Sequence, residues 1–211
     1  MYPAMQQVLL DWNGTVVADL PRALAAANTA LRRLSIAPIT GRTFSRSFTL
    51  PLSQFFQRLG VPSDALEEAE QIWNDSCIEQ PAQLSRGARA LLDACQRRQI
   101  PVGIITAADP ALVGADSARL DIRHLLTWVA GRVTDKQAEL TRAATTSRTA
   151  VYIGDTADDV EQARRAGVVA VALTGGYHNR TRLETAMPDL IIDDLQDIVP
   201  LLGNASSLVT D

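Results

Sequence analysis

Residues 6–15 read QQVLLDWNGT. A short apolar run that stops on an acidic residue, with Asn13-Gly14 directly behind it, is the pattern of a buried strand closing in a tight polar turn. The pattern returns at 150–159 (AVYIGDTADD), and bare apolar runs of strand length stand at 102–106 (VGIIT) and 168–173 (VVAVAL). LIID at 190–193 and TWVAG at 127–131 are weaker versions. Helical patterns separate these runs. Asp109-Pro110 opens one, Thr134 or Asp135 opens another, and DDVEQARRAG ends on Gly167, as a helix C-terminus should. Strands interleaved with helices imply right-handed crossovers and a mostly parallel sheet. The expected class is α/β, with a Rossmann-like three-layer core.

Residues 20–85 break that rhythm. LPRALAAANTALRRLS has apolar residues at helical spacing, with Pro21 early in the helix and Asp19 as its cap. A turn-rich stretch follows (Ala37-Pro38, Thr40-Gly41), then PLSQFFQRLG, then a helix through LEEAEQIWNDSCIE with Ser63 as cap, stopping before Pro81. No strand pattern occurs. An all-helical segment placed after the first strand of a parallel sheet is expected to be a cap over residues 17–85. Its linkers would lie near 16–20 and 81–86, and the core would consist of 1–16 and 86–211. The polar tail NASSLVTD (204–211) is expected to fray.

The 211 residues are 46% hydrophobic and 21% charged, which is globular rather than disordered. A formal charge of -4 gives no basic field for nucleic acid or an anionic membrane. No run reaches the roughly 20 apolar residues of a bilayer span, and the start MYPAMQQVLL lacks the basic n-region of a secretory signal. Cys77 and Cys95 are too few for a disulfide framework or zinc site and read as buried thiols. A cytoplasmic location is expected. Of 20 basic residues 19 are Arg; the one Lys is Lys136.

Ligands of open parallel sheets gather outside the carboxyl ends of the strands, so the residues that follow each strand carry the chemistry. They are Asp11-Trp12-Asn13-Gly14-Thr15, then Thr106, then Lys136 at a helix start, then Gly154-Asp155-Thr156-Ala157-Asp158-Asp159. A strand ending in DxxGT, a strand ending in Thr, a Lys and finally GDxxxD, in that order from residue 8 to about residue 160, resembles the haloacid dehalogenase-like superfamily. QARRAGVVAVALTGGY continues the likeness, and the small helical insert places the nearest resemblance in the phosphoglycolate phosphatase-like branch.

The resemblance implies a phosphatase acting on a small phosphorylated metabolite. Asp11 would be the nucleophile and form an aspartyl-phosphate. Asp11 and Asp155 would hold Mg²⁺ with the backbone carbonyl of Asn13, and Asp159 would orient Asp155 or bind a metal water. Thr106 and Lys136 would hold the non-reacting phosphate oxygens. Trp12, Thr106, Lys136, Arg42 and Arg46 are the candidate substrate-binding residues, the two arginines as cap contacts to an anionic substrate. Neither nucleic acid nor membrane is an expected partner.

One position departs from the family pattern. The phosphatases carry a second Asp two residues after the nucleophile, to protonate the leaving oxygen and then activate water; here that residue is Asn13. An amide cannot give or take a proton, and general acid–base catalysis is worth about 10²–10⁴ in rate. Alkyl phosphates should suffer most, acyl and aryl phosphates least. The alternative reading is a weak or inactive fold member that senses a phosphate ligand or binds a partner. Asp-Trp also resembles the phosphonoacetaldehyde hydrolase branch, but that chemistry needs a cap lysine, and residues 17–85 contain none. The dehalogenase branch does not need the metal-site acid Asp155. Deamidation at Asn13-Gly14 would restore a carboxylate. His178, in GGYHN, could supply the missing proton function, whereas His124 reads as structural. Phe44, Phe48, Phe55, Phe56, Trp73 and Trp128 read as packing, and Asp158 as solvated.

Overall fold

A computed structural model describes residues 4–144 and 149–203. The strands are β1 (Gln7–Leu10), β2 (Val102–Ile105), β3 (Trp128–Ala130), β4 (Ala150–Gly154), β5 (Val169–Leu173) and β6 (Leu190–Ile192). They form one sheet in the order β3-β2-β1-β4-β5-β6. All five pairings are parallel, with Leu10 facing Ile104 on one side and Ile153 on the other. The helices are α1 (Leu20–Arg33), α2 (Gly41–Ser47), α3 (Leu52–Arg58), α4 (Leu66–Glu79), α5 (Ala88–Arg97), α6 (Pro110–Arg119), α7 (Lys136–Ala144), α8 (Ala157–Arg165) and α9 (Arg180–Thr185).

Side-chain alternation along each strand makes three layers. Val8, Leu10, Ile104, Val151, Ile153 and Val171 enter one apolar cluster, shared with Leu91, Leu92 and Cys95 of α5. Leu9, Ile105, Tyr152, Ala170 and Ala172 enter the other, with Leu140 of α7 and Val160 of α8. The strands are near-continuous apolar runs because both faces are covered.

A third cluster belongs to the helical insert. Ala23, Ala26, Ala27, Ala30 and Leu31 form one face of α1 at helical spacing, packed with Phe44, Phe55, Phe56 and Trp73. Each buried ring contributes about 1.5–3 kcal/mol. Leu112 of α6 and Tyr177 are the buried core-side residues of this cluster. The two chain passages into and out of the insert run side by side: Ala18 N–H donates to Gln83 O at 2.8 Å and Ser85 N–H to Val16 O at 2.9 Å.

Local expectations hold for the strands and change at three helix starts. The turn-rich segment contains α2, capped by Thr40, whose hydroxyl accepts from Thr43 N–H. Ser63 begins a single 3₁₀ turn and makes no side-chain cap. Asp19 precedes α1, but its carboxylate does not cap the helix; it turns inward instead. The expected fraying of 204–211 lies outside the described residues. Among the described residues no helix is long and apolar enough to cross a membrane.

Candidate active site

The strand order runs outward in opposite directions from β1 and β4, so the crevice at their carboxyl ends is where a ligand of such a sheet sits. Asp11 and Asp155 follow these two strands. Asp11 N–H donates to Ile153 O at 3.0 Å, and Trp12 O accepts from the amides of Thr15, Val16 and Val17. Gly14 closes this turn at φ +80°, and a Cβ there would fall 2.2 Å from Asp155 Oδ2. Only glycine satisfies both the backbone and the space. Thr15 Oγ1 donates to Asp155 Oδ1 at 2.9 Å, stitching the two loops together. From the far side, Tyr177 N–H donates to Asp155 Oδ2 at 2.7 Å. Gly176 permits that approach, since its Cβ would lie 2.3 Å from the same oxygen.

Asp11, Asp155 and Asp159 are buried with ligand oxygens within 4.8 Å of one another. Lys136, the first residue of α7, reaches between two of them, 3.1 Å from Asp11 Oδ1 and 2.5 Å from Asp159 Oδ1. Asp135 caps this helix, accepting from Ala138 N–H at 2.9 Å, and so fixes where the lysine starts. Burial raises the Asp11 carboxyl to about 6, against the pull of Lys136 and with the push of Asp159. Burial, then Asp11 and Asp159, hold Asp155 well above the usual carboxylate range. Asp159 moves the other way: burial opposes it, but Lys136, Thr156 and Tyr152 stabilise its charge. Burial would lower Lys136, yet Asp11 and Asp159 carry it well above the ordinary lysine value. Three buried carboxylates against one ammonium leave uncompensated negative charge, and hard oxygen donors in such a cluster suit a divalent cation such as Mg²⁺.

Asp159 is not hydrogen-bonded to Asp155. Its Oδ2 closes a capping box with Thr156, and its Oδ1 takes Lys136 and the Tyr152 hydroxyl, the latter at 3.0 Å. Both its oxygens are thus engaged by Lys136, Tyr152 and Thr156. Thr106, at the end of β2 and 2% exposed, lines the same cavity as Asp11, and its hydroxyl accepts from Ala108 N–H at 3.2 Å.

Asn13 also lines this cavity. Its Nδ2 donates to Asp19 Oδ2 in a short contact, while Gly14 N–H donates to Asp19 Oδ1 at 2.9 Å. Asp19 accepts further from Arg22 at 3.2 Å and from the Tyr177 hydroxyl at 3.3 Å. Burial raises the Asp19 carboxyl, with Arg22 and Asn13 opposing the shift. A carboxylate surrounded by donors leaves one choice for the amide: nitrogen toward Asp19, oxygen away. The Gly14 amide is held by Val17 O at 2.9 Å as well as by Asp19, which ties down the nitrogen that deamidation would need.

Several expected contacts fall elsewhere. Trp12 is fully buried, and its Nε1 donates to Asp116 at 3.2 Å; the ring packs in the core and does not line the cavity. Arg42 and Arg46 are exposed on α2, because Phe44 and Phe48 take the inward face of that helix. His178 Nδ1 accepts from Ala157 N–H at 2.9 Å, and burial, then Arg182, pulls its pKa down to about 4. It is a neutral structural group, outside the cavity lining. His124 is exposed in a 3₁₀ turn rather than packed in a helix. Cys77 and Cys95 are buried free thiols.

The residues not foreseen as site residues are Asp19, Tyr177, Thr15 and the cavity wall of Phe48, Leu50, Leu52, Trp73, Asn74 and Leu112. Phe48 and Trp73 are core as expected, yet each also shows an edge to the cavity. The paired glycines 175–176 after β5 were the available signal for a close backbone approach. Nothing in the sequence marked Asp19 as more than a cap.

Comparison with known proteins agrees with this geometry. A family model described as haloacid dehalogenase-like hydrolase matches residues 8–173. A phosphoglycolate phosphatase of Synechococcus elongatus is 29% identical over 206 residues, covering 92% of this chain and 96% of that one. A phosphoglycolate phosphatase of Pseudomonas putida is 25% identical, covering 96% and 82%. Among solved structures, a predicted phosphoglycolate phosphatase from Haemophilus somnus superposes with TM-score 0.81 at 18% identity, covering 93% and 97%. CbbY of Rhodobacter sphaeroides in complex with phosphate superposes with TM-score 0.75 at 17% identity, covering 92% and 96%. With the family model spanning most of its length, this chain belongs to the haloacid dehalogenase-like hydrolase family, and its relatives lie in the phosphoglycolate phosphatase-like branch.

Proposed function

We propose that this chain is a Mg²⁺-dependent phosphatase that hydrolyses a small phosphorylated metabolite in the cytoplasm through an aspartyl-phosphate on Asp11. The observation that carries the reading is the buried Asp11–Asp155–Asp159 cluster with Lys136 reaching into it. Asp11, Asp155 and the Asn13 carbonyl would hold the ion, which supplies positive charge against the phosphate oxygens and keeps the carboxylates ionised together.

Asp11 attacks phosphorus, and the bond to the leaving oxygen breaks on the opposite side. Thr106 and Lys136 hold the non-reacting oxygens while charge spreads over them. Water then opens the acyl phosphate and returns Asp11 with inorganic phosphate. Asn13 stands where the proton shuttle would be, its amide oriented by Asp19. Residues 17–85 act as the cap on a core of 1–16 and 86–211, moving on the paired linkers to admit substrate and exclude water.

Release of inorganic phosphate from phenyl phosphate, with Mg²⁺ and with chelator, tests this. Metal-dependent release that drops by about 10⁴ or more in Asp11→Asn is expected for loss of a nucleophile. Equal release by wild type and variant would sink the hydrolase reading and favour a phosphate-ligand sensor.

A further inference from the structure

The space beyond Asp11 is closed by Phe48, Leu50, Leu52, Trp73 and Leu112, with Ala107 and Ala108 at its side. Two polar side chains reach it from that direction. One is Asn74; the other is Tyr177, whose hydroxyl is given to Asp19 at 3.3 Å. A wider cleft adjoins it past Leu50, Leu52 and Asn74, and carries Glu70, Asp109, Asp135 and Asp158. Among the described residues lining either space the cations are Arg132 and Lys136. Arg132 is bonded to Asp109 through Nε, at 3.1 Å, and through its terminal nitrogen. Lys136 is held by Asp11 and Asp159. Arg22 is buried but given to Asp116 and Asp19.

A second negative group on a substrate would therefore lose its water largely against rings and methyl groups, with the neutral Asn74 amide but no uncommitted cation among the described lining residues, and meet acidic residues at the mouth. Independently, Asn13 turns its nitrogen toward Asp19 and has no proton to transfer. The leaving oxygen must depart carrying its electron pair.

We infer that this site selects a phosphomonoester whose leaving portion is uncharged, largely apolar and a weak base once released, with an aryl phosphate as the chemical type. The inference rests on the phosphatase reading and narrows it. Asp11 forms its bond to phosphorus as the aryl O–P bond breaks. The phenolate leaves with the pair and takes a proton from solvent, and water then hydrolyses the acyl phosphate to inorganic phosphate.

The test compares kcat/KM of the Mg²⁺-loaded enzyme on phenyl phosphate, 4-carboxyphenyl phosphate, ethyl phosphate and phosphoglycolate. The carboxyl group makes the aryl leaving group intrinsically better, so any fall must come from the pocket. Phenyl phosphate is expected to exceed its carboxylated partner by on the order of 10²-fold, as an unpaired buried charge demands. Leu52→Arg should shrink that ratio by supplying a partner. A wild-type enzyme that prefers either carboxylated compound, with turnover still dependent on Mg²⁺ and Asp11, would overturn this inference and leave the phosphatase reading intact. Inertness toward all four compounds would overturn both.

Discussion

The floor and the roof of the cavity are built on opposite principles. The floor is polar and hydrogen-bonded, with negative charge in excess: Asp11 and Asp159 share Lys136, Thr156 bonds to Asp159 and Thr15 to Asp155, at the ends of β1 and β4 and the starts of α7 and α8. The roof is apolar, made of side chains that also serve as the cap's packing core. Buried charge must be placed by rigid backbone or it costs several kcal/mol, so the floor hangs on strand ends and helix starts. A roof that excludes water needs only shape. On the proposed function, the first part would carry the reaction chemistry and the second the substrate choice.

The largest gain should come from changing Asn13, which lines the cavity but cannot move a proton. In Asn13→Asp the new carboxyl sits against Asp19, and like charge raises the pKa of one of the pair, which suits an acid. Turnover of ethyl phosphate should rise by about 10²–10⁴, while phenyl phosphate gains little. A uniform gain across both substrates would break the division between floor and roof. Steady-state phosphate release decides it.

Next come the arginines. Arg22 Nη1 and Nη2 meet both oxygens of Asp116 at 2.8 and 2.9 Å, and Arg22 also bridges to Asp19. Arg22→Met leaves two buried carboxylates without their cation, so urea unfolding should show a loss of about 3–5 kcal/mol. Arg42→Ala and Arg46→Ala should each stay within about 0.5 kcal/mol and leave kcat/KM unchanged. A specific loss of substrate affinity in either would return them to the binding site.

The smallest effect concerns pH. His178 titrates near 4 in the fold against an ordinary 6.5, so between those values the unfolded chain binds the extra proton. Stability therefore falls as pH drops from about 6.5 toward 4. His178→Asn keeps an acceptor for Ala157 N–H without titrating. Its melting temperature should fall less between pH 7 and 5 than that of wild type; parallel curves would show that His178 is not the titrating group.

The floor was legible because its residues are placed by local rules. An acid after a buried strand, a Thr after another, a Lys behind a capping Asp135 and a GDTADD turn all stand at strand ends or helix starts, and the parallel sheet brings those points together. The roof was legible only as hydrophobic content. Phe48 and Trp73 carry the same helical spacing whether they fill a core or border a cavity. Arg42 and Arg46 lie outside the cavity lining, a placement the sequence could not give because a seven-residue helix was read as turns, and without its phase no face can be assigned.

The sequence alone determined the α/β class, the helical insert and the identity of the acids, threonine and lysine at the floor, since short-range pattern and chain order suffice for these. Tertiary structure decided the rest. It turned Trp12 into the core toward Asp116 and made Asp19 the holder of Asn13 rather than a helix cap. It brought Tyr177 against both Asp19 and Asp155, and left the cavity roof with no unpaired cation among the described residues. Those outcomes depend on which distant donors and rings arrive at the same point, and that is fixed by packing across the whole chain.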